Sequence, residues 1–445
     1  MSMSYFDQLN LTGEEKRGAA LKRASELKKT IVEYTENKFS IKTGTEMQEI
    51  TGLNKERMLH YFNASEKDWD DWRWQMSHRI SDAITLEDLF DFSESQCAQA
   101  RRVGIKYRWS ISPYYASLID SFEDNDPIRL QSVPSIEELD ESGHSDPMSE
   151  EMTSPAPCVT RRYPDRLIIN VTNQCAMYCR HCQRRRNIGE TDRHKPHRSL
   201  LAALEYIRQN REIRDVLITG GDALLLDDLK IGWLLGELDK IKHIEIKRIG
   251  TRTIVSLPQR ITPELCKVLK KHPPIFINTQ FNHPREITPE SKKACDMLVE
   301  AGVVLGNQAV LLKGVNNAPD IMKKLNQELL KIRVRPYYLF HAKHVKGTGH
   351  FITTVDEGLA IMEKLRGYTS GLAVPAYVMN APGGYGKTPI LPQYLLGRQD
   401  EVIRMRTWEN RVLEWAMKPP GKKCGGSVET YLKQGMDGYL PAISD

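Results

Sequence analysis

Three cysteines, Cys175, Cys179 and Cys182, share one short segment with the spacing C-x3-C-x2-C. Thiolates this close can converge on one metal centre, and soft thiolates suit zinc or iron–sulfur clusters. A structural zinc site prefers a fourth Cys or His nearby and usually shows C-x2-C pairs. Three cysteines instead fit a [4Fe-4S] cluster with one iron left open to bind a small molecule. Two plainer readings stay open on spacing alone: a zinc loop with His181 as fourth ligand, or three unlinked thiols.

A second constellation is Asn380-Ala381-Pro382-Gly383-Gly384-Tyr385-Gly386-Lys387. Glycines let backbone crowd a ligand. A lysine held there could anchor pyridoxal phosphate (PLP) through its amine. The bland alternative is a glycine-rich turn with a surface lysine. Arginines add weight to the ligand reading. Arg161, Arg162 and Arg166 precede the cysteine segment, and Arg184, Arg185 and Arg186 follow it. Guanidinium groups bind phosphate and carboxylate in a bidentate manner. Otherwise these arginines meet solvent or the acids of a neighbouring subunit.

The chain that must position these groups has 445 residues, 40% hydrophobic and 27% charged. That is globular composition with room for more than one domain. No apolar stretch is long enough to span a bilayer, and the first residues lack a signal-peptide pattern. Five further cysteines, Cys97, Cys158, Cys266, Cys295 and Cys424, are scattered singly. That is no disulfide framework and fits a reducing, cytoplasmic setting. A net charge of +5 is modest for this length and does not call for nucleic acid.

Residues 1–154 read as mainly helical and polar. Thr12-Gly13-Glu14-Glu15 has the form of a capping box. Trp69 and Trp72 share a helical face suited to core packing, and the acidic, Ser- and Pro-rich stretch 135–157 reads as a linker. Residues 155–396 then alternate β-branched runs with helical patterns. Strands are expected at 167–172, 216–219, 245–250, 275–281, 304–312, 335–340 and 373–379. Helices are expected at 200–209, 230–241, 263–271, 289–301, 319–332 and 356–366. Thr262-Pro263-Glu264 and Thr288-Pro289-Glu290 each supply an N-cap, a proline at the first helical position and an early acid. Such alternation predicts a parallel sheet, wound or barrel-shaped, with ligands at the C-terminal strand ends. The cysteine segment follows the first of these strands. Residues 397–445 read as a polar tail.

The chain resembles the lysine 2,3-aminomutase family of radical S-adenosylmethionine (SAM) enzymes. The resemblance rests on Tyr163-Pro164-Asp165-Arg166, Cys179-Arg180-His181-Cys182, Leu217-Ile218-Thr219-Gly220-Gly221-Asp222, Gly250-Thr251-Arg252, Pro258-Gln259-Arg260-Ile261-Thr262, Phe281-Asn282-His283-Pro284, Arg335-Pro336-Tyr337-Tyr338 and Ala381-Pro382-Gly383-Gly384. It implies an α/β fold, a partial (β/α)6 barrel wrapped by an N-terminal helical region and a C-terminal tail. It further implies that Cys175, Cys179 and Cys182 hold a [4Fe-4S] cluster and that Gly220, Gly221 and Asp222 line the SAM end. Lys387 would carry PLP, with Arg162 and Arg166 near its phosphate and Gln308 in the shared pocket. Arg184 would bind the substrate α-carboxylate. A one-electron donor such as flavodoxin or ferredoxin and assembly into a homo-oligomer are implied as well, with neither nucleic acid nor membrane as partner.

Two departures from the lysine-specific members point to the substrate. Those members carry aspartates where this chain has Lys343 and Asn380. A fixed Lys343 ammonium would repel a lysine side chain by about 4 kcal/mol at ~4 Å and an effective dielectric of ~20, roughly a thousandfold. It would attract a γ-carboxylate, to which Asn380 can donate. The implied reaction moves the α-amino group of L-glutamate to C3, giving β-glutamate (3-aminoglutarate). The alternatives are lysine or arginine as substrate, and, from another class, a thiolate metal protein binding RNA or a partner. Lysine members also hold a zinc between subunits through one cysteine after the G-V-N motif and three near the C-terminus. Here Ala318 follows Gly314-Val315-Asn316-Asn317, and the tail has only Cys424.

Overall fold

The computed structural model describes residues 12–417. They fall into two units that divide after Ile390. The first is organised by one nine-stranded sheet: β1 (Val159–Thr160), β2 (Arg166–Asn170), β3 (Asp215–Thr219), β4 (Ile246–Gly250), β5 (Ile275–Thr279), β6 (Val304–Leu311), β7 (Arg335–His341), β8 (Ala376–Ala381) and β9 (Gly386–Pro389). Each strand lies beside its neighbour in sequence. Pairing is parallel from β2 through β8 and antiparallel at both edges, β1 with β2 and β8 with β9. A sheet wound in strict order curls into an open half-barrel.

Six helices complete the βα units: α1 (His197–Gln209), α2 (Asp228–Asp239), α3 (Pro263–Lys270), α4 (Pro289–Glu300), α5 (Pro319–Lys331) and α6 (Val355–Leu365). Their apolar residues recur three and four apart, the spacing of one helical face. In α1 that face is Leu200, Ala203, Leu204 and Ile207, all buried. It joins strand residues such as Leu167, Ile169 and Val216 in one continuous core. The caps form as their residue types dictate: Thr262 accepts from the Leu265 amide at 3.2 Å, and Thr288 from the Ser291 amide at 3.0 Å. The six units β2–α1 to β7–α6 are the expected partial barrel, with β8 extending the parallel run.

The N-terminal region is helical, as expected, and Thr12 and Glu15 form the capping box. Three details differ. Trp69 is buried, but Asp71 is extended, ends one short helix and caps the next, so Trp72 does not share its face. Trp72 instead stacks under the Arg260 guanidinium, 4.7 Å from its ring centre. The stretch 135–157 is no free linker: Glu138 is completely buried, and Glu150 nearly so. The tail region holds an antiparallel meander, β10 (Leu395–Gln399), β11 (Val402–Arg406) and β12 (Val412–Ala416), which the short mixed runs there did not signal. Cys424 lies outside the described residues. Among the described residues no helix is long and apolar enough to cross a membrane.

Candidate active site

The C-terminal strand ends open onto one cavity of about 280 Å³ within the first unit. Every residue expected to act lines it: Cys175, Cys179 and Cys182; Gly220, Gly221 and Asp222; Arg162, Arg166 and Gln308; and Arg184, Lys343, Asn380 and Lys387. They come from the β1–β2 turn and the start of β2, the β2–α1 loop, the loops after β3 and β7, β6 and the β8–β9 hairpin, far apart in sequence. The rule that parallel barrels act at their C-terminal strand ends accounts for most of this gathering; Arg162 and Arg166 reach the cavity from the other end of β2.

The cysteine end is tightly built. The loop after β2 is gripped by the N-terminal region. Arg180 gives two hydrogen bonds to Glu138, at 2.9 and 2.6 Å, and Arg185 pairs with the same carboxylate. Burial alone would raise the Glu138 carboxyl, but the two guanidiniums outweigh it and hold it below the usual range. Arg79 donates to the Cys175 carbonyl at 2.7 Å and pairs with Asp192, which also holds Arg108. Gly220 and Gly221 explain themselves by close approach. Gly220 has φ +141, and an added Cβ would meet the Thr172 carbonyl oxygen at 2.4 Å. At Gly221 it would meet the Gln174 oxygen at 2.4 Å. The loop after β3 thus lies directly on the cysteine loop, and Asp222 is capped by Thr251 at 2.5 Å and the Arg252 amide at 2.7 Å.

Arg252 also donates to Cys179 Sγ at 2.8 Å. Burial pushes the Cys175 and Cys182 thiols up. Buried thiols without a cation stay protonated; a bound metal deprotonates its thiolates outright. Among the described residues no three His, Cys, Asp or Glu side chains converge on a point suited to one metal ion. The three thiols line one cavity, where each could hold one iron of a cluster. His181 forms no metal-binding group with them among the described residues: its Nε2 meets Gln280 at 3.0 Å, and burial first, then Arg252 and Arg180, keep the ring neutral.

The lysine end is differently made. In the β8–β9 hairpin Gly386 has φ +95, and an added Cβ would meet the Tyr163 ring at 3.0 Å. The Tyr163 hydroxyl accepts from the Lys387 amide at 2.8 Å. Lys387 Nζ sits 5.5 Å from the ring centres of Tyr163 and Tyr338. Burial, then Arg248, Arg162 and Arg166, push its pKa down to about 8. A desolvated lysine among cations is a nucleophilic amine near neutral pH. With Arg162 and Arg166 alongside, the surroundings fit an aldehyde that carries a phosphate.

Arg184 already grips a carboxylate. It chelates Glu150 through Nε at 3.1 Å and Nη2 at 2.9 Å, while Arg162 lies 3.6 Å away. Arg186 pairs with Asp146 at 2.8 Å, and Arg161 with Glu212 at 2.7 Å. All six arginines around the cysteine loop, then, pair with acids of their own chain, Arg166 with Asp165 at 3.6 Å.

Lys343 has no such acid to itself. Its neighbours are Arg184, Arg162 and Lys387, and burial followed by those cations pushes its pKa down to about 7. Its hydrogen bond goes to the neutral Gln183 side chain. This alters the expected discrimination. A lysine substrate could displace a loosely held proton near pH 7, so repulsion falls well short of the full ~4 kcal/mol of a fixed pair. Attraction of a carboxylate becomes the larger effect. Asn380 Nδ2 is buried with no hydrogen-bond partner. An unpaired buried donor costs about 1–3 kcal/mol, which an incoming acceptor would relieve.

Four lining or supporting residues escape a sequence reading: Tyr163, Glu150, Gln183 and Arg248. Arg248 had a signal, a charge in the middle of the β4 run Ile246-Lys247-Arg248-Ile249-Gly250. Glu150 had none.

Two family models match the chain: the radical SAM superfamily over residues 169–325 and lysine-2,3-aminomutase over residues 362–438. A glutamate 2,3-aminomutase of Clostridioides difficile is 54% identical over 406 residues, covering 91% of this chain and 96% of that protein. An L-lysine 2,3-aminomutase of Fusobacterium nucleatum is 48% identical, covering 79% and 84%. The L-lysine 2,3-aminomutase of Clostridium subterminale is 45% identical, covering 81% and 88%. With matches of that depth along most of its length, and a cavity that gathers the thiols, glycines and lysine of both motifs, the chain belongs to the lysine 2,3-aminomutase family of radical SAM enzymes.

Proposed function

We propose that this enzyme is an isomerase that moves the α-amino group of L-glutamate to C3, forming β-glutamate. One observation carries the choice of substrate: the far wall of the cavity offers Lys343 and the unpartnered Asn380 amide, both donors, and no acid of its own. The similarity to a glutamate 2,3-aminomutase over nearly the whole chain supports the same choice.

The family uses a [4Fe-4S] cluster, SAM and PLP. When bound, they supply radical removal of an unactivated hydrogen and a carrier for the amino group. The chain's part is to bind, orient and exclude water. Cys175, Cys179 and Cys182 would hold the cluster on three irons, with Gly220, Gly221 and Asp222 lining the SAM end. Lys387 would carry PLP, and Arg162 and Arg166 would meet its phosphate. Gln308 lines the same space. Arg184 would take the α-carboxylate, with Glu150 keeping that guanidinium aimed at the cavity. The γ-carboxylate would then lie on Lys343 and Asn380. A glutamate carboxylate there restores the charged form of Lys343, which burial disfavours. We further propose a cytoplasmic homo-oligomer served by a small one-electron donor protein.

Anaerobic reconstitution with iron, sulfide, PLP and SAM, followed by reduction with dithionite as the one-electron donor and incubation with L-glutamate, tests the reading. The expected product is 3-aminoglutarate. β-Lysine from L-lysine, with no product from glutamate, would replace it by the lysine reading.

A further inference from the structure

We infer that Gln183 is a specificity-determining residue of this site: its side-chain oxygen holds the Lys343 ammonium toward the cavity without neutralising it, so that the charge stays available to the distal carboxylate of the substrate. The inference rests on the glutamate reading above and adds a residue to it.

Gln183 follows the last cysteine directly and lines the same cavity as Lys343 and Asn380. Its Oε1 accepts from Lys343 Nζ across 160 residues of sequence. Glu150 attracts that ammonium only from a distance, because its oxygens are taken by Arg184, Arg162 and Arg186. The ammonium is otherwise 5.3 Å from the centre of the Phe340 ring, an apolar wall. A lysine so placed needs a fixed acceptor, because its four-carbon stem has many rotamers. A carboxylate at position 183 would fix it equally well but would cancel its charge. A neutral amide oxygen orients the ammonium and leaves it unpaired.

The orphaned Asn380 Nδ2 lines the same cavity as a neutral donor. A carboxylate has two oxygens and about four lone-pair sites. The Lys343 ammonium and the Asn380 N–H group both suit it; the ammonium of a lysine substrate, donor only, does not match the amide donor.

The experiment compares Gln183→Glu, which differs mainly in charge, Gln183→Leu, which removes the acceptor, and each change combined with Lys343→Met. Holoenzyme with measured iron and PLP content is used throughout. Equilibrium binding of L-glutamate without SAM is read alongside kcat and KM. Both single variants are expected to weaken glutamate binding between about tenfold and a hundredfold, the worth of a hydrogen bond to a charged group. Iron content and the affinity for glycine, which lacks the distal carboxylate, should stay unchanged. In the Lys343→Met background the Gln183→Leu change should have almost no further effect, since Gln183 acts through that ammonium. Wild-type affinity in Gln183→Glu, or an equal loss with Lys343 present and absent, would overturn the inference. A wild type that does not bind glutamate would instead remove the substrate reading itself. Loss of iron in Gln183→Leu alone leaves Gln183→Glu to decide, and loss of iron in both would make Gln183 a support of the cysteine loop.

Discussion

The two ends of the cavity handle charge in opposite ways. Behind the cysteine loop, Arg180 and Arg185 meet the buried Glu138, and Arg79 and Arg108 meet Asp192, so nearly every cation has its acid. At the lysine end, Arg162, Arg184 and Lys343 share one buried acid, Glu150, and the acid that acts on Lys387, Asp215, is itself paired with Arg248. Paired charges in a protein interior fix geometry at little net gain. Unpaired ones raise the energy of the empty site and are relieved only by a ligand. The first end is therefore a clamp on the cysteine loop. The second is suited to anions; under the proposed function these are a phosphate and the two carboxylates of a dicarboxylic amino acid.

The strongest way to break this contrast is at the thiols themselves. Cys175→Ala, Cys179→Ala or Cys182→Ala should each abolish iron retention and SAM cleavage, read by iron assay and by release of 5′-deoxyadenosine. Full iron with activity in any one would sink the cluster assignment. Lys387→Ala should lose covalent retention of PLP after borohydride reduction while its iron content stays at the wild-type level. A peptide map that places the label on Lys343 or Lys313 instead would move the cofactor site.

Stability separates the ends next. Glu138→Gln leaves Arg180 and Arg185 buried without their anion and should cost about 3–5 kcal/mol in chemical denaturation. Lys343→Met should do the reverse. The Lys343 pKa falls from its ordinary value to about 7 in the folded chain. The unfolded state then binds the extra proton between pH 7 and 10.5, so this group destabilises the fold below that window and the penalty fades as pH rises through it. Its removal should add at most about 4 kcal/mol at pH 7, less because the side chain lines an open cavity rather than the packed core. A variant that is more stable yet binds glutamate poorly would mark Lys343 as a residue kept for function.

The smallest expected effect is on pH dependence. Lys343 is charged below about pH 7 and neutral above it. The ratio of kcat/KM for glutamate to that for lysine should therefore fall as pH rises from 6 to 8.5. A flat ratio in the wild type, or the same slope in Lys343→Met, would detach the discrimination from this group.

How much of this could be read in the chain follows from how local each signal is. Cys175, Cys179 and Cys182 sit on one loop, and the Gly-Gly-Asp run after β3 is equally compact, so their roles are legible in spacing. The six helices and the parallel strands show because burial of one face repeats every three to four residues, or every two. Glu138 and Glu150 do not show. Each lies in an acidic, Ser- and Pro-rich stretch that imitates a linker, and its arginine partners stand 42 and 34 residues away. Composition records the acids but not their burial. The β10–β12 meander does not show for a related reason: its strands are five residues each, largely exposed, and lack an apolar alternation. Lys343 was visible as a departure from an expected aspartate, but its lowered pKa is a property of the cations folded around it.

The central claim is that the cations left unpaired at one end of the cavity choose a dicarboxylic amino acid. The direct measurement is a competition between glutamate, lysine and arginine on the anaerobically reconstituted wild type and on the variant carrying both Lys343→Asp and Asn380→Asp. The wild type is expected to turn over glutamate first, and the double variant to shift toward lysine. Faster turnover of lysine by the wild type would contradict the claim, and an unchanged preference in the double variant would show that Lys343 and Asn380 do not set it.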